Sequence, residues 1–365
     1  MPQRLGASLP VRSTLGLHPR GHLPPTTGNG FETRFREDLA LFAELGVTDL
    51  RLGADWARLQ PRPGEIDDDW REWYQDVLVA ARDLGIGVWL GLVEQSLPTW
   101  FADDGGFSDT KVAGRWWPRW VESCTELFGE LAAGWFPIHD PIGLAAAGCE
   151  DGSPRHLDAL TNVITAWRDS WRILRGGPPV ATSLGLRMVQ ATDESVPARQ
   201  VARREDHLRW TLWLRALRDG TISVPTRSER VVNDLAGSLD VLGVAFGTDL
   251  TGVPTVNEES VGPWEDRAGT MLRRVAEEGP GRPISVTFRA RLADDDQRRV
   301  VTDALGRAAV SARRDGVALG TVFWSPAIDG ADDDTGPINL DREPKTSAEA
   351  WPGLAWSEPQ APAAS

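Results

Sequence analysis

The strongest candidates for chemistry are two adjacent ionisable residues, His139 and Asp140, that directly follow a short apolar run. Residues 135–138 can be fully buried, and Pro141 follows the pair, so both side chains lie at a chain reversal. A carboxylate there can act as a general acid or base, and a histidine can carry a proton near neutral pH. The structural alternatives are a helix N-cap for Asp140 and a buried, hydrogen-bonded role for His139.

Glu94 is a third candidate, because it also follows a short apolar run, residues 86–93. With His139 or Asp140 it could form a proton-transfer pair, and the alternative is a solvated loop glutamate. By residue type the three could bind a metal, but their spacing matches no metal-binding motif. We therefore predict no metal and no cofactor.

The elements that must position these residues alternate along the chain. Short segments that are apolar on both sides, as in a parallel sheet, alternate with longer segments whose apolar residues recur at helical spacing. Glycine follows several of the helical segments, which is typical of helix C-termini. Strands are predicted at 5–10, 47–52, 86–93, 134–138, 180–186, 240–246, 283–287 and 318–324. Helices are predicted at 33–45, 69–84, 111–132, 156–175, 197–219, 264–278 and 294–315.

This strict alternation predicts a single-domain (β/α)₈ TIM barrel over residues 1–356, with a doubly wound open sheet as the alternative. In such barrels the functional residues lie at the carboxyl ends of the strands. A Gly/Pro/Thr-rich segment at 11–32 is long enough to contribute to a site there. Residues 357–365 are rich in proline and alanine, and we predict that they form a disordered tail.

Composition and charge narrow the class of partner. The 365 residues are 25% charged, and the formal net charge of −14 argues against nucleic acid or an anionic membrane surface. No apolar run approaches the ~20 residues that span a bilayer, and the first residues lack the apolar stretch of a signal peptide. Cys124 and Cys149 have no metal-ligand spacing and are interpreted as reduced thiols. Together these features predict a cytoplasmic protein.

The strand ends, taken in order, resemble those of glycoside hydrolase family 1, the β-glucosidase-type enzymes. Residues 34–67 resemble the family's stretch through the second strand, with Arg51, Trp56 and Arg58 at positions of its Arg-Phe-Ser-x-x-Trp-x-Arg motif. The resemblance implies a (β/α)₈ barrel and a retaining mechanism, in which two carboxylates lie ~5–5.5 Å apart. Further resemblance is found at 92–107, 240–249, 282–299, 323–329 and 345–351.

The resemblance is lost at the catalytic positions. Phe288 replaces the nucleophile of the family's Thr-Glu-Asn-Gly motif, and Arg289 follows it. Asp140 replaces the acid/base glutamate, and His139 replaces the asparagine before it. Glu94 stands where the family has a histidine. Because these positions changed while the pattern of the scaffold was kept, we predict loss or replacement of the standard activity.

The family register also predicts residues that contact a ligand. Arg51 ends the second strand beside the missing nucleophile, so it needs Asp140, Glu94 or an anionic ligand as a counter-ion. Aromatic side chains at strand ends could stack on a sugar ring, and an acidic residue after the last strand could serve as a base. The predicted catalytic residues are His139, Asp140 and Glu94, and the predicted substrate-binding residues are Arg51, Trp56, Phe288, Arg289, Trp324 and Asp329.

Three functions are compatible with this pattern. The first is a repurposed glycosidase-fold enzyme, a pseudoglycosidase, that transfers protons on a small, glycosylated or anionic metabolite in a biosynthetic reaction. The second is an inverting or weak glycosidase with Asp140 as the general acid and Glu94 or Asp329 as the base. The third is a non-catalytic binder of a carbohydrate-like ligand. In each case the partner is a small sugar or sugar-like molecule, and the sequence determines neither the substrate nor the oligomeric state.

Overall fold

Within the part of the chain that the structure describes, the strands form one eight-stranded parallel sheet and one short hairpin. The computed structural model describes residues 4–150, 152–247, 261–289, 292 and 294–354, so the predicted tail lies outside the described residues. The sheet strands are β1 (Leu5–Leu9), β2 (Asp49–Gly53), β3 (Gly87–Val93), β4 (Gly134–Ile138), β5 (Leu184–Gly185), β8 (Leu242–Gly247), β9 (Ile284–Arg289) and β10 (Leu319–Trp324). The hairpin pairs β6 (Thr221–Ile222) with β7 (Arg230–Val231).

The parallel sheet curls and closes on itself. Its order is β4-β3-β2-β1-β10-β9-β8-β5. Closure comes from two bridges, between Trp135 of β4 and Val180 and between Ala181 and Val241. Regular pairing in the fifth strand is confined to β5, shorter than the predicted 180–186, because residues 180 and 181 pair only through these isolated bridges. The predicted (β/α)₈ barrel is confirmed.

Helices connect the strands, and most begin and end close to their predicted positions. The segment predicted at 111–132 ends earlier, at Phe128, where Gly129 follows. The longer helices are α2 (Phe31–Glu44), α4 (Asp68–Asp83), α6 (Thr110–Phe128), α8 (Pro154–Leu174), α9 (Val196–Asp206), α10 (Leu212–Asp219), α11 (Val261–Glu278) and α12 (Asp295–Arg314). Single-turn or two-turn helices are α1 (Val11–Thr14), α3 (Trp56–Leu59), α5 (Thr99–Asp103) and α7 (Pro141–Ala146).

One predicted helix, at 197–219, is divided in two. A wide π-type turn at His207–Thr211 separates α9 from α10. Helix α9 has no buried residue, whereas α10 buries most of one face, including Trp213. A π-type turn rotates the helix faces relative to regular α-helical spacing, so the two parts need not present one continuous face to the core.

Apolar side chains pack on both faces of the closed sheet. One layer lies between the sheet and the surrounding helices, and the other lies inside the barrel. The inner layer consists of Trp89, Phe136, Ala181 and Phe323. A Cβ atom on Gly134 would lie 2.2 Å from the Trp89 ring, so only glycine leaves room for that indole. The barrel interior is therefore packed below the strand ends. No helix in the described ranges is long and apolar enough to span a bilayer.

Candidate ligand site at the barrel mouth

A cavity of about 340 Å³ lies at the carboxyl ends of the barrel strands. Five barrel strands contribute to its wall: β9 through its last residue, and β1, β3, β4 and β10 through the residue that directly follows each of them. The segment after β1 and the segment after β10 complete it. The lining residues are Pro10, Val11, Arg12, Ser13, Leu17, Thr26, Thr27, Glu94, Gln95, Ser96, His139, Arg289, Ser325, Pro326, Gly330, Ala331, Asp332 and Asp333.

A buried hydrogen-bonded group lies at the base of this cavity. The Arg51 side chain is 2% exposed; its Nη1 donates to Ser183 Oγ at 2.9 Å, and its Nη2 contacts His139 Nδ1 at 2.6 Å. Ser183 Oγ lies 2.8 Å from the same Nδ1. The guanidinium also lies 4.7 Å from the centre of the Phe136 ring, a favourable cation–π contact. Arg51 thus points into the barrel mouth and holds His139 directly.

Glu94 is the acidic partner of this group. Its Oε1 lies 4.0 Å from Arg51 Nη2, and its Oε2 accepts a 2.9 Å hydrogen bond from the Val11 amide. Burial raises the pKa of Glu94, while Arg51 acts in the opposite direction. A Cβ on Gly53 would lie 3.1 Å from Glu94 Cδ, so glycine at the end of β2 permits this close approach.

Asp140 points away from the cavity although it follows His139 in the chain. Its backbone is left-handed, with φ 39°, and its side chain caps helix α7 by accepting from the Gly143 amide at 3.2 Å. A Cβ on Gly185 would lie 2.6 Å from Asp140 Oδ1, so the carboxylate is held against β5. Burial raises the pKa of Asp140. The geometry therefore matches the N-cap alternative, and Asp140 does not line the cavity.

At the end of β9 it is Arg289, and not Phe288, that faces the cavity. Phe288 is fully buried in the layer between sheet and helices, with its ring centre 6.3 Å from that of Phe246. Successive side chains of a strand point to opposite faces, which explains why Arg289 lines the cavity. Burial lowers the pKa of Arg51 to about 10; nearby Glu94 opposes this effect and Arg289 adds to it. The mouth therefore carries two neighbouring guanidinium groups.

Besides Arg51 and Phe288, three further predicted binding residues do not line the cavity. Trp56 is 1% exposed and stacks on Trp120, with ring centres 5.4 Å apart, so the structure gives it a packing role. Trp324 is equally buried, level with Phe288 in the strand pairing. Asp329 accepts from the Gly336 amide at 2.8 Å and from Lys345 Nζ at 2.7 Å. Asp329 therefore fixes the loop that forms one wall of the cavity.

The segment after β1 is held over the mouth by a second buried arginine. Arg58 donates to the carbonyl oxygens of Gly16 at 2.8 Å and Leu15 at 2.7 Å, and pairs with Asp55. Gly16 has φ 72°, and a Cβ there would lie 2.1 Å from the Thr26 carbonyl oxygen, so glycine is required. These contacts bring six residues of the segment predicted at 11–32 to the cavity wall.

Sequence reasoning did not identify Ser183, Arg12, Asp332 or Asp333 as site residues. Ser183 lies within an apolar strand pattern that offers no signal of a polar contact. Asp332 and Asp333 belong to an acidic run that is typical of a solvated loop, and both are exposed on the cavity rim. Within the described ranges, no three His, Cys, Asp or Glu side chains are grouped so that they could hold a metal ion.

Comparisons with known proteins agree with this fold. The family model of glycosyl hydrolase family 1 matches residues 27–154. The 6-phospho-β-glucosidase GmuD of Bacillus subtilis (strain 168) is 28% identical over 122 residues, which cover 33% of this chain and 26% of that protein. β-Glucosidase A of Thermotoga maritima is 23% identical over 167 residues, covering 43% of this chain and 37% of that protein. The matched stretches thus span well under half of these relatives' lengths.

Solved structures match over almost the whole chain. A β-glycosidase from Pyrococcus horikoshii superposes with a TM-score of 0.81 at 17% identity, covering 97% of this chain and 96% of that one. The family 1 β-glucosidase from Thermotoga maritima in complex with isofagomine lactam gives 0.77 at 15% identity, covering 97% and 98%. These similarities establish the fold, and the family-model match adds the sequence relationship. The chain is similar in sequence to glycosyl hydrolase family 1 over residues 27–154, and over almost its whole length it shares the fold of a family 1 β-glucosidase.

Proposed function

We propose that the chain is a pseudoglycosidase that binds a small, anionic, sugar-like molecule at the barrel mouth and does not hydrolyse β-glucosides by the retaining mechanism. The observation that carries this proposal is the position of Arg289, a guanidinium presented to the cavity by β9. In the family register this strand end supplies the nucleophilic carboxylate. A cation in its place reverses the charge that the standard reaction needs.

Electrostatics argue against the retaining reaction. Its transition state resembles a positively charged oxocarbenium ion, stabilised by a carboxylate on each side of the scissile bond. Here Arg289 and Arg51 place positive charge at the mouth, which would destabilise such a state. The position after β4, where the family has its acid/base carboxylate, is occupied by Asp140, whose carboxylate caps α7. The inverting alternative, with Asp140 as the acid, lacks support for the same reason.

The same charges favour an anionic ligand. A guanidinium binds carboxylate or phosphate through charge-assisted and often bidentate hydrogen bonds. Arg289 and Arg12 both line the cavity, and the exposed carboxylates of Asp332 and Asp333 at its rim could accept hydrogen bonds from sugar hydroxyls. Two relatives, GmuD of Bacillus subtilis and AscB of Escherichia coli, are named 6-phospho-β-glucosidases, so anionic sugars occur as ligands within the wider group.

A second candidate function is proton transfer on the bound molecule, with Glu94 as the acid or base. The supporting observation is that Glu94 lines the cavity and that burial raises its pKa towards the range useful for catalysis near neutral pH. A cytoplasmic setting, with a role in the metabolism of charged sugars, belongs to the same proposal. The free thiols of Cys124 and Cys149 are in keeping with it.

Calorimetric binding of three sugars tests the proposed ligand class. We expect glucose 6-phosphate or glucuronate to bind the wild type at least ~10-fold more tightly than glucose, because hydrogen bonds to charged groups contribute ~1.5–3 kcal/mol. Arg289→Gln should remove most of that preference. Arg62→Gln, a matched change at an exposed arginine paired with Glu65, should leave it unchanged. Equal affinity for charged and neutral sugars, or an unaltered preference in Arg289→Gln, would refute the proposal.

Glu94→Gln separates binding from proton transfer. The amide keeps the size of the side chain and can still accept from the Val11 amide, but it cannot exchange a proton. If Glu94 is an acid or base, this variant retains affinity for the charged sugar and loses turnover of any substrate found for the wild type. Full turnover in the variant would remove this second function.

A further inference from the structure

We infer that Arg51, assisted by Ser183, locks His139 in the tautomer that carries its proton on Nε2, so that His139 offers the cavity a hydrogen-bond donor and no acceptor. The consequence of this tautomer for ligand choice rests on the proposed function. The assignment of the tautomer itself does not depend on that function. Arg51 and Ser183 act here as positioning residues, because both reach the ligand only through His139.

The direction of each hydrogen bond follows from the chemistry of the groups. A guanidinium has only donors, so the 2.6 Å contact from Arg51 Nη2 requires a lone pair on His139 Nδ1. Ser183 Oγ already accepts from Arg51 Nη1 at 2.9 Å, and its own hydrogen can be directed to the same Nδ1, 2.8 Å away. With Nδ1 unprotonated, the neutral ring must carry its proton on Nε2.

The surrounding charges keep the ring neutral. Three charged groups act on it or on its partner: Arg51 below, Arg289 from β9, and Glu94, which lies 4.0 Å from Arg51. Burial lowers the pKa of His139 well below its usual value, and both arginines act in the same direction. An imidazolium would also need a proton on Nδ1, pointing at the guanidinium. Two independent effects therefore disfavour it.

The free edge of the ring is turned to the cavity. His139 lines the cavity, and within the described ranges its Nε2 has no acceptor among the hydrogen bonds of the protein. A donor in this position selects an oxygen acceptor on the ligand, such as a carboxylate, phosphate or hydroxyl oxygen. It cannot accept a hydrogen bond from an ammonium group, which has only donors. His139, like Arg289, therefore favours a ligand that presents an oxygen acceptor.

Nitrogen-15 NMR of histidine-labelled protein tests the lock directly, since the two ring nitrogens of a neutral histidine have separate shifts when protonated and unprotonated. The chain has five histidines, and His139→Asn identifies the signals of His139. We expect a neutral Nε2–H form near neutral pH that persists when the pH is lowered below 6.5, the ordinary pKa of histidine. A predominant Nδ1–H form, or an imidazolium near neutral pH, would overturn the inference.

Substitutions at position 51 show whether Arg51 sets the tautomer. Arg51→Lys retains a group that can only donate, so the Nε2–H form should persist. Arg51→Met removes it, and the Ser183 hydroxyl can then accept from Nδ1–H, so a measurable Nδ1–H population should appear. In Ser183→Ala the guanidinium still donates, and the Nε2–H form should remain. A folded Arg51→Met protein with an unchanged tautomer, or a switch in Ser183→Ala, would contradict the assignment.

This measurement is independent of the ligand. It is made on the ligand-free protein, so failure of the charged sugars to bind would leave the tautomer result intact. Conversely, an Nδ1–H ring in a protein that does bind those sugars would remove the lock and leave the proposed function standing.

Discussion

At the scale of single residues, the side-chain alternation at the end of β9 decides the chemistry of the mouth. Phe288 faces the helices and Arg289 faces the cavity, so neither can act as a nucleophile, for different reasons. One is buried in an apolar layer, and the other is a cation. Introducing a carboxylate should therefore destabilise the protein to different extents at these two neighbouring positions.

We predict that Phe288→Glu is far more damaging to stability than Arg289→Glu. The first buries an unpaired carboxylate against Phe246 and also loses apolar packing, which should cost at least ~3 kcal/mol. The second places the carboxylate in the cavity near Arg51 and should cost less than half as much. Urea unfolding of both variants measures the difference. Equal losses, or a larger loss in Arg289→Glu, would contradict this assignment of the two side chains. Neither variant should gain β-glucosidase activity.

The sequence alone indicates His139, Glu94 and Arg289 as residues of the mouth, because barrel sites lie at the carboxyl ends of the strands. The direction of Asp140 could not be inferred from the sequence, since it depends on a left-handed backbone conformation that its residue type permits but does not require. Ser183 could not be found either, because a small polar residue in an apolar strand carries no sign of a contact with Arg51.

At the scale of elements, buried ion pairs attach the loops of the mouth to the barrel. Arg342 forms a two-point pair with Asp38 of α2, at 2.7 and 2.9 Å, and its Nη1 donates to the Asn29 carbonyl oxygen at 2.9 Å. This arginine therefore links the segment after β10 to the end of the segment after β1. Both segments line the cavity, so their relative position depends on that contact.

Asp38→Ala should be strongly destabilising, by ~3–5 kcal/mol, because it leaves the buried Arg342 guanidinium without its counter-ion. The exposed pair of Arg62 with Glu65 offers a matched control, and Glu65→Ala should cost less than ~1 kcal/mol. Thermal or urea unfolding of the two variants provides the comparison. Similar small losses would mean that the buried pair does not anchor these loops.

Element boundaries were largely predictable, because capping residues mark them. Asp67, Asp109, Ser153 and Asp294 each accept from an amide in the first turn of the helix that follows. The division of 197–219 into α9 and α10 and the brief pairing of β5 could not be predicted, since periodicity continues through both regions. Both depend on packing against distant parts of the barrel.

At the scale of the whole molecule, stability should depend on pH through groups buried at the mouth. The pKa of His139 in the folded protein lies below its ordinary value of 6.5. Below about pH 6.5 this histidine is therefore protonated in the unfolded chain but stays neutral in the folded one. This contribution to stability is complete above pH 6.5 and is lost as pH falls. Glu94 and Asp140 have raised pKa values and act in the opposite sense, since their folded forms bind protons more readily.

Comparison of the wild type with His139→Asn isolates the contribution of His139 to the pH dependence of stability. Asparagine can still accept from Arg51 through its carbonyl oxygen, but it does not titrate. In the wild type, the free energy of unfolding should fall by up to ~1.4 kcal/mol more per pH unit than in the variant as the pH is lowered below 6.5. Urea unfolding across that range measures both slopes. Identical slopes would show that His139 is protonated in the folded protein.

The central claim, that this barrel keeps the scaffold of the family without its nucleophile, is tested most directly by covalent trapping. The protein is incubated with activated 2-deoxy-2-fluoro β-glucosides and β-galactosides, with and without a 6-phosphate, and its intact mass is measured. A retaining family 1 β-glucosidase, such as that of Thermotoga maritima, serves as the positive control. We predict that the control gains one glycosyl group and that this protein gains none. A glycosyl adduct on any carboxylate of this chain would contradict the account.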